Sequence, residues 1–81
     1  MREGFAMFEV VIFDQEKELY HATACRVTLP GVSGEFEILA FHAPMIGLLQ
    51  AGQIRVDGKA LGIRKGVAMM EKNELLVIVE R

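Results

Sequence analysis

Few residues in this chain have the chemistry to react, so they come first. Glu35 and Glu37 stand two apart, and on a strand both carboxylates share one face. Carboxylates about 5–9 Å apart can cleave a glycosidic bond. A chain of 81 residues cannot wall a sugar cleft around them, so a solvated polar face is expected. His42 lies two residues before Pro44, in a turn. A general base needs an acid or nucleophile held against it, and the other histidine, His21, falls in a different strand. His42 therefore reads as a structural or contact residue. Cys25 continues an alternating row with Thr23, Val27 and Leu29, which predicts a core thiol rather than a reactive thiolate. Ser33 sits in Gly31-Val32-Ser33-Gly34, which lacks the G-x-S-x-G spacing of a nucleophile elbow and reads as a plain turn. Met69 and Met70 are adjacent, so on a strand one faces the core and the other the surface. P-loop, GxGxxG and CxxC spacings are absent from the sequence. The expectation is a protein without catalysis, with no catalytic, cofactor-binding or metal-binding residues.

The totals narrow the class further. The length suits one domain, residues 1–81, with a thin stability margin because so small a fold leaves much of its surface outside. One cysteine cannot form an internal disulfide. Nine basic and eleven acidic residues give a net charge of −2, which offers no field for a phosphate backbone, so no nucleic-acid partner is expected. No apolar run approaches the ~18 residues of a membrane span, so no direct membrane insertion is expected. The opening Met1-Arg2-Glu3-Gly4 lacks the apolar stretch of a secretory signal, which predicts a soluble, unexported chain. Hydrophobic residues nevertheless make up 52% of the sequence, and eight glycines come in addition. A small domain cannot hide all of that, and exposed apolar surface usually marks a protein contact.

The elements that would position these residues are short and punctuated by turns. Phe8 to Phe13 is β-branched and aromatic and predicts a strand. Asp14 to Glu18 breaks it, and Leu19 to Leu29 alternates weakly. Pro30 to Gly34 is a turn cluster. Glu35 to Leu39 predicts a strand with Phe36 and Ile38 on one face. Met45 to Gln50 fits a helical turn or a strand equally well. Asp57-Gly58 between Gln53–Val56 and Lys59–Arg64 predicts a hairpin. Gly66 opens a strand over Val67 to Glu71, Lys72-Asn73 turns the chain, and Glu74 to Glu80 is the last strand. Its apolar middle, Leu75 to Val79, predicts burial on both faces. The fold class is all-β: a two-sheet β-sandwich of about eight to ten short strands, with a core near Val27, Ile54 and Val77.

The segment Gly34-Glu35, Ile38-Leu39 and His42-Ala43-Pro44 resembles the signature of the epsilon subunit of F-type ATP synthase. Gly52-Gln53-Ile54-Arg55-Val56 is similar to the strand that follows in that family, and Phe8 to Val11 and Asn73 to Val79 are similar to its first and last strands. The likeness spans essentially the whole chain. Two positions depart from the pattern: Glu37 stands where the family has glycine, and Ala40-Phe41 stands where it has Pro-Gly. Members commonly continue into a two-helix C-terminal domain, whereas this sequence ends at Arg81. The inhibitory and ATP-binding roles that some relatives place in those helices are not carried over.

The resemblance implies a ten-stranded sandwich without cofactors, seated in the central stalk. Its partners would be the gamma subunit and the c-ring, and its task would be to fasten one to the other so that ion flow drives ATP synthesis. It would lie peripherally at the cytoplasmic face of the inner (plasma) membrane. By position, Ser33 and Glu35 would meet the ring, while His42, Met45 and Ile12 would lie toward gamma. The competing expectation is a free-standing sandwich or barrel that binds a small apolar ligand in a cavity.

Overall fold

The computed structural model describes residues 6–81, and the Met1–Gly4 stretch discussed above lies outside them. Nine strands follow one another: β1 (Phe8–Phe13), β2 (Glu18–Ala24), β3 (Arg26–Gly31), β4 (Gly34–Leu39), β5 (Met45–Leu49), β6 (Gly52–Val56), β7 (Lys59–Ile63), β8 (Lys65–Glu71) and β9 (Glu74–Glu80). The resemblance implies ten, and nine are present among the described residues. None of the described residues forms a helix long and apolar enough to cross a membrane.

Turn chemistry makes the hairpins. Asp57 (φ 47°) and Gly58 (φ 91°) both take positive φ, as do Lys72 (φ 52°) and Asn73 (φ 60°). Two such residues in a row form the two-residue turn whose twist matches paired strands, which explains Asp-Gly at one hairpin and Asn at the other. Between β1 and β2, the Asp14 carboxylate accepts hydrogen bonds from the Glu16 and Lys17 amides at 2.7 and 2.9 Å. Those two bonds also hold its pKa below the usual value. The β3–β4 turn is tighter than expected. Strand β3 runs through Pro30 and Gly31, which pairs with Gly34, leaving Val32-Ser33 as the loop. A side chain at Gly31 would meet the Gly34 carbonyl and the Phe36 ring at 2.7 Å, so the close approach needs glycine.

One hydrogen-bonded path joins the strands in the order β2-β1-β9-β8-β5-β3-β6-β7, with β4 on the other side of β3. All neighbours are antiparallel except β1 and β9, which run parallel. The sheet curls over at β3. Its start pairs with β6 (Val27 with Val56, Thr28 with Arg55), and its end pairs with β5 (Gly31 with Leu49). Two layers result, β2-β1-β9-β8-β5 and β4-β3-β6-β7, and the chain crosses between them at Cys25, over residues 40–44, at Gln50-Ala51 and at Arg64.

The space between the layers is filled by every second residue. Phe8, Val10 and Ile12 come from β1, Val27 and Leu29 from β3, Ile54 and Val56 from β6, and Leu75, Val77 and Val79 from β9. Val27, Ile54 and Val77, chosen from the sequence as the core, are all fully buried. Met70 is buried and Met69 is exposed, as adjacent strand positions require.

The segment that fitted a helical turn or a strand equally well is a strand, Met45–Leu49, because its backbone finds partners on β8. Other readings need correction. The Leu19–Leu29 run is two strands broken at Cys25, which shifts the alternation by one residue. Cys25 is consequently half-buried rather than a core residue, and Ala24 takes the inward position. Leu75–Val79 is buried on one face only, since Ile78 is 47% exposed.

Candidate docking interface

The uncovered side of β9 belongs to a larger apolar surface. Cross-strand registers align two rows over the first layer. One row runs Ile46 (β5), Met69 (β8), Leu76 (β9), Val11 (β1), and the second runs Leu48, Val67, Ile78, Phe13. Ile46 is 73% and Leu48 60% exposed, and Val67, Met69 and Ile78 are also exposed. Two open grooves score this face. One of about 430 Å³ lies among Val32, Leu48, Val67 and Ile78, and one of about 410 Å³ lies among Pro44, Met45, Ile46 and Met69.

The outer side of the second layer is polar by contrast. Arg26 pairs with Glu37 across β3 and β4 at 3.0 Å, and Thr28 stands between Glu37 and Arg55. Glu37 thus sits in a regular strand and takes no positive φ, so the family's glycine there has no counterpart requirement in this chain. Leu39 is exposed at the end of this side, and the larger apolar surface lies on the first layer.

Charge borders the apolar face at β2. His21 pairs with Val11 across the strands, and its Nε2 lies 2.8 Å from Glu9 Oε2 and its Nδ1 3.6 Å from Glu18 Oε1. The hydrogen bond to Glu9 raises the imidazole pKa, aided by the nearby carboxylates of Glu18 and Glu74. Among the described residues, no group of three or more acidic, histidine or cysteine side chains is arranged to hold a metal ion.

The five residues singled out by resemblance fall in three places. Ser33 and Glu35 are exposed at the β3–β4 turn. His42 and Met45 lie at the other end of β4, six residues or roughly 20 Å of strand away. His42 is exposed, with Nδ1 2.7 Å from the Ala43 carbonyl oxygen. Met45 is half-buried and lines the groove beside Ile46. Ile12 is 1% exposed and points into the core, so it offers no surface to a partner. The position that faces away from the core is Val11, one residue earlier, and it too is buried, at 7% exposed. The register decides this, and the continuous apolar run Val10-Val11-Ile12-Phe13 hides it from sequence reasoning. Ile46, Leu48, Val67 and Ile78 were missed for the same reason: an apolar residue on a strand does not reveal which of its faces is covered.

A cavity for a small ligand has little support. A groove of about 710 Å³ is open and lined by Arg26, Thr28, Arg55 and Asp57 as well as apolar groups. The interior is occupied by side chains.

Residues 7–81 match the family described as ATP synthase, Delta/Epsilon chain, beta-sandwich domain. The ATP synthase epsilon chain of Sulfurimonas denitrificans is 36% identical over 67 residues, covering 76% of this chain and 52% of the relative. That of Helicobacter pylori is 33% identical over 79 residues, covering 93% and 64%. The chain thus spans about half to two-thirds of the length of these relatives. A chain in the Euglena gracilis mitochondrial ATP synthase superimposes with a TM-score of 0.84 at 20% identity, over 94% of this chain and 52% of that one. A chain in the central stalk and c-ring structure of Tetrahymena thermophila mitochondrial ATP synthase gives 0.73 at 19% identity, over 90% and 63%. At those identities the superpositions establish the shared fold. In ATP synthase the epsilon chain is a non-catalytic subunit. On the family match across nearly its whole length, this chain belongs to the ATP synthase delta/epsilon family, as its β-sandwich domain.

Proposed function

We propose that this chain is a docking module of the ATP synthase central stalk, binding the gamma subunit through the outer face of β5, β8, β9 and β1 and resting the Ser33–Glu35 turn on the c-ring. The observation that carries the reading is the larger apolar surface around Ile46, Leu48, Val67 and Ile78. A monomeric domain gains nothing from leaving such a surface wet. A standard interface takes about 800 Å² from each partner. The described residues expose 5114 Å², so gamma would cover about one-sixth of the surface.

The two ends then have separate tasks. Ile46 anchors the gamma side from the outer face, Met45 offers the part of its side chain that lines the groove while the rest packs on the core, and His42 is a hydrogen-bonding neighbour. Glu35 meets polar loops of the ring at an exposed rim, where one ion pair contributes about 0–1 kcal/mol and guides orientation more than affinity. The packed layers make the link stiff, which a part that transmits torque needs. In this role the chain helps couple ion flow to ATP synthesis, peripherally, on the cytoplasmic side of the membrane.

The test is co-purification with the cognate gamma subunit and c-ring. Ile46→Asp with Leu48→Asp is expected to abolish gamma binding while the domain still melts cooperatively. Glu35→Lys is expected to weaken ring assembly and leave gamma binding intact. Retention of gamma by the double variant sinks the docking assignment.

A further inference from the structure

Phe41 is the most exposed large apolar residue among those described, at 75%. Its backbone is unusual as well, with φ +63° in the left-handed region that side chains disfavour. Glycine at this position would remove both costs. The domain alone therefore has no use for this ring.

The loop is nevertheless held firmly. The Phe41 amide donates to Asn73 Oδ1 at 2.7 Å, and Asn73 Nδ2 donates to the Met7 carbonyl at 3.0 Å. The His42 amide closes the turn onto the Leu39 carbonyl at 3.2 Å. These bonds tie Phe41 to the β8–β9 turn, at the end of the strands that carry Met69 and Leu76, and four residues before β5 begins. Met7, whose carbonyl the same asparagine holds, is also exposed, at 44%. A preorganised loop loses little conformational freedom on binding.

We propose that Phe41 is an aromatic anchor extending the apolar docking face, and that it inserts into an apolar pocket of the gamma subunit that covers that face. This rests on the docking assignment above and adds the residue that makes the contact particular to this chain. Charge describes the rim of the pocket. The neighbouring β8–β9 turn carries Glu71 and Glu74 against Lys72, so a basic rim is complementary. The same acidic surroundings disfavour an anionic membrane as the occupant.

Phe41→Gly separates the ring from the backbone. Gamma affinity, read by titration calorimetry with the whole chain, is expected to fall by about 30-fold or more, the scale of a buried aromatic anchor. The melting temperature is expected to hold or rise, because glycine suits the φ. Phe41→Tyr is expected to recover most of the affinity. A variant that loses stability and affinity together marks the ring as structural and overturns the anchor. Unchanged affinity in Phe41→Gly, alongside loss in the Ile46→Asp, Leu48→Asp variant, overturns the anchor and leaves the docking face standing. Unchanged affinity in both overturns the two readings together. Phe41-dependent binding to vesicles containing anionic lipid, with gamma affinity unchanged, assigns the ring to a membrane and also overturns the proposal.

Discussion

Replacing Asp57 should destabilise this domain far more than an exposed turn residue ordinarily does. Its carboxylate accepts from the Cys25 amide at 3.0 and 3.2 Å and from the Arg26 amide at 3.0 Å, while its own amide donates to the Arg26 carbonyl at 3.2 Å. The side chain braces the β6–β7 hairpin against the break between β2 and β3. Hydrogen bonds to a charged group contribute about 1.5–3 kcal/mol each, and the open groove here lets water replace part of that. A total near 2 kcal/mol for the carboxylate is reasonable by that scale. Asp57 also has φ +47°, where alanine adds about 1 kcal/mol of strain. Asp57→Ala should then cost about 3 kcal/mol, Asp57→Gly about 2, and Asp57→Asn about 1, since asparagine keeps one oxygen and tolerates the turn. For a domain of this size each 1 kcal/mol moves the melting temperature by about 4–8 °C. Circular dichroism melts of the three variants, with hydrogen exchange of the Cys25 and Arg26 amides, read the effect. Alanine and glycine variants melting within about 2 °C of the parent, with those amides equally protected, would refute the brace.

Two further outcomes follow from the geometry. The His21 imidazole has a raised pKa in the folded chain, so its pairing with Glu9 stabilises fully below the unfolded value and fades as pH rises through the folded one. Glu9→Gln should therefore lower the melting temperature at about pH 5.5 and leave it nearly unchanged at about pH 9, and equal losses at both would contradict the pairing. Ile54, with no exposed surface at the centre of the core, should cost about 2–5 kcal/mol when cut to alanine, read as a drop in the denaturant midpoint.

The docking reading and the fold draw on the same property, alternation along strands. The inner positions fill the space between the layers, and the outer positions of the first layer form a second apolar surface that the domain itself does not cover. The two faces thus divide one hydrophobic composition between stability and association. Phe41 adds to the second at a small cost to the first.

Local pattern alone determined that this chain is all-β, that Asp57-Gly58 and Lys72-Asn73 are turns, and that Val27, Ile54 and Val77 are core. Turn residues and period-two alternation act over a few positions, so they are legible without the fold. The turn at Ser33 and the exposed strand face that carries Glu35 were legible in the same way. Tertiary structure decided that Ile12 faces inward and Val11 outward, that Cys25 falls at a strand break, and that the outer side of Leu75–Val79 stays open. Each of these depends on which distant strand supplies the pairing and which layer lies opposite. An apolar run records that burial is favourable, whereas the partner that achieves it, within the chain or outside it, exists only once the sheet has closed over itself.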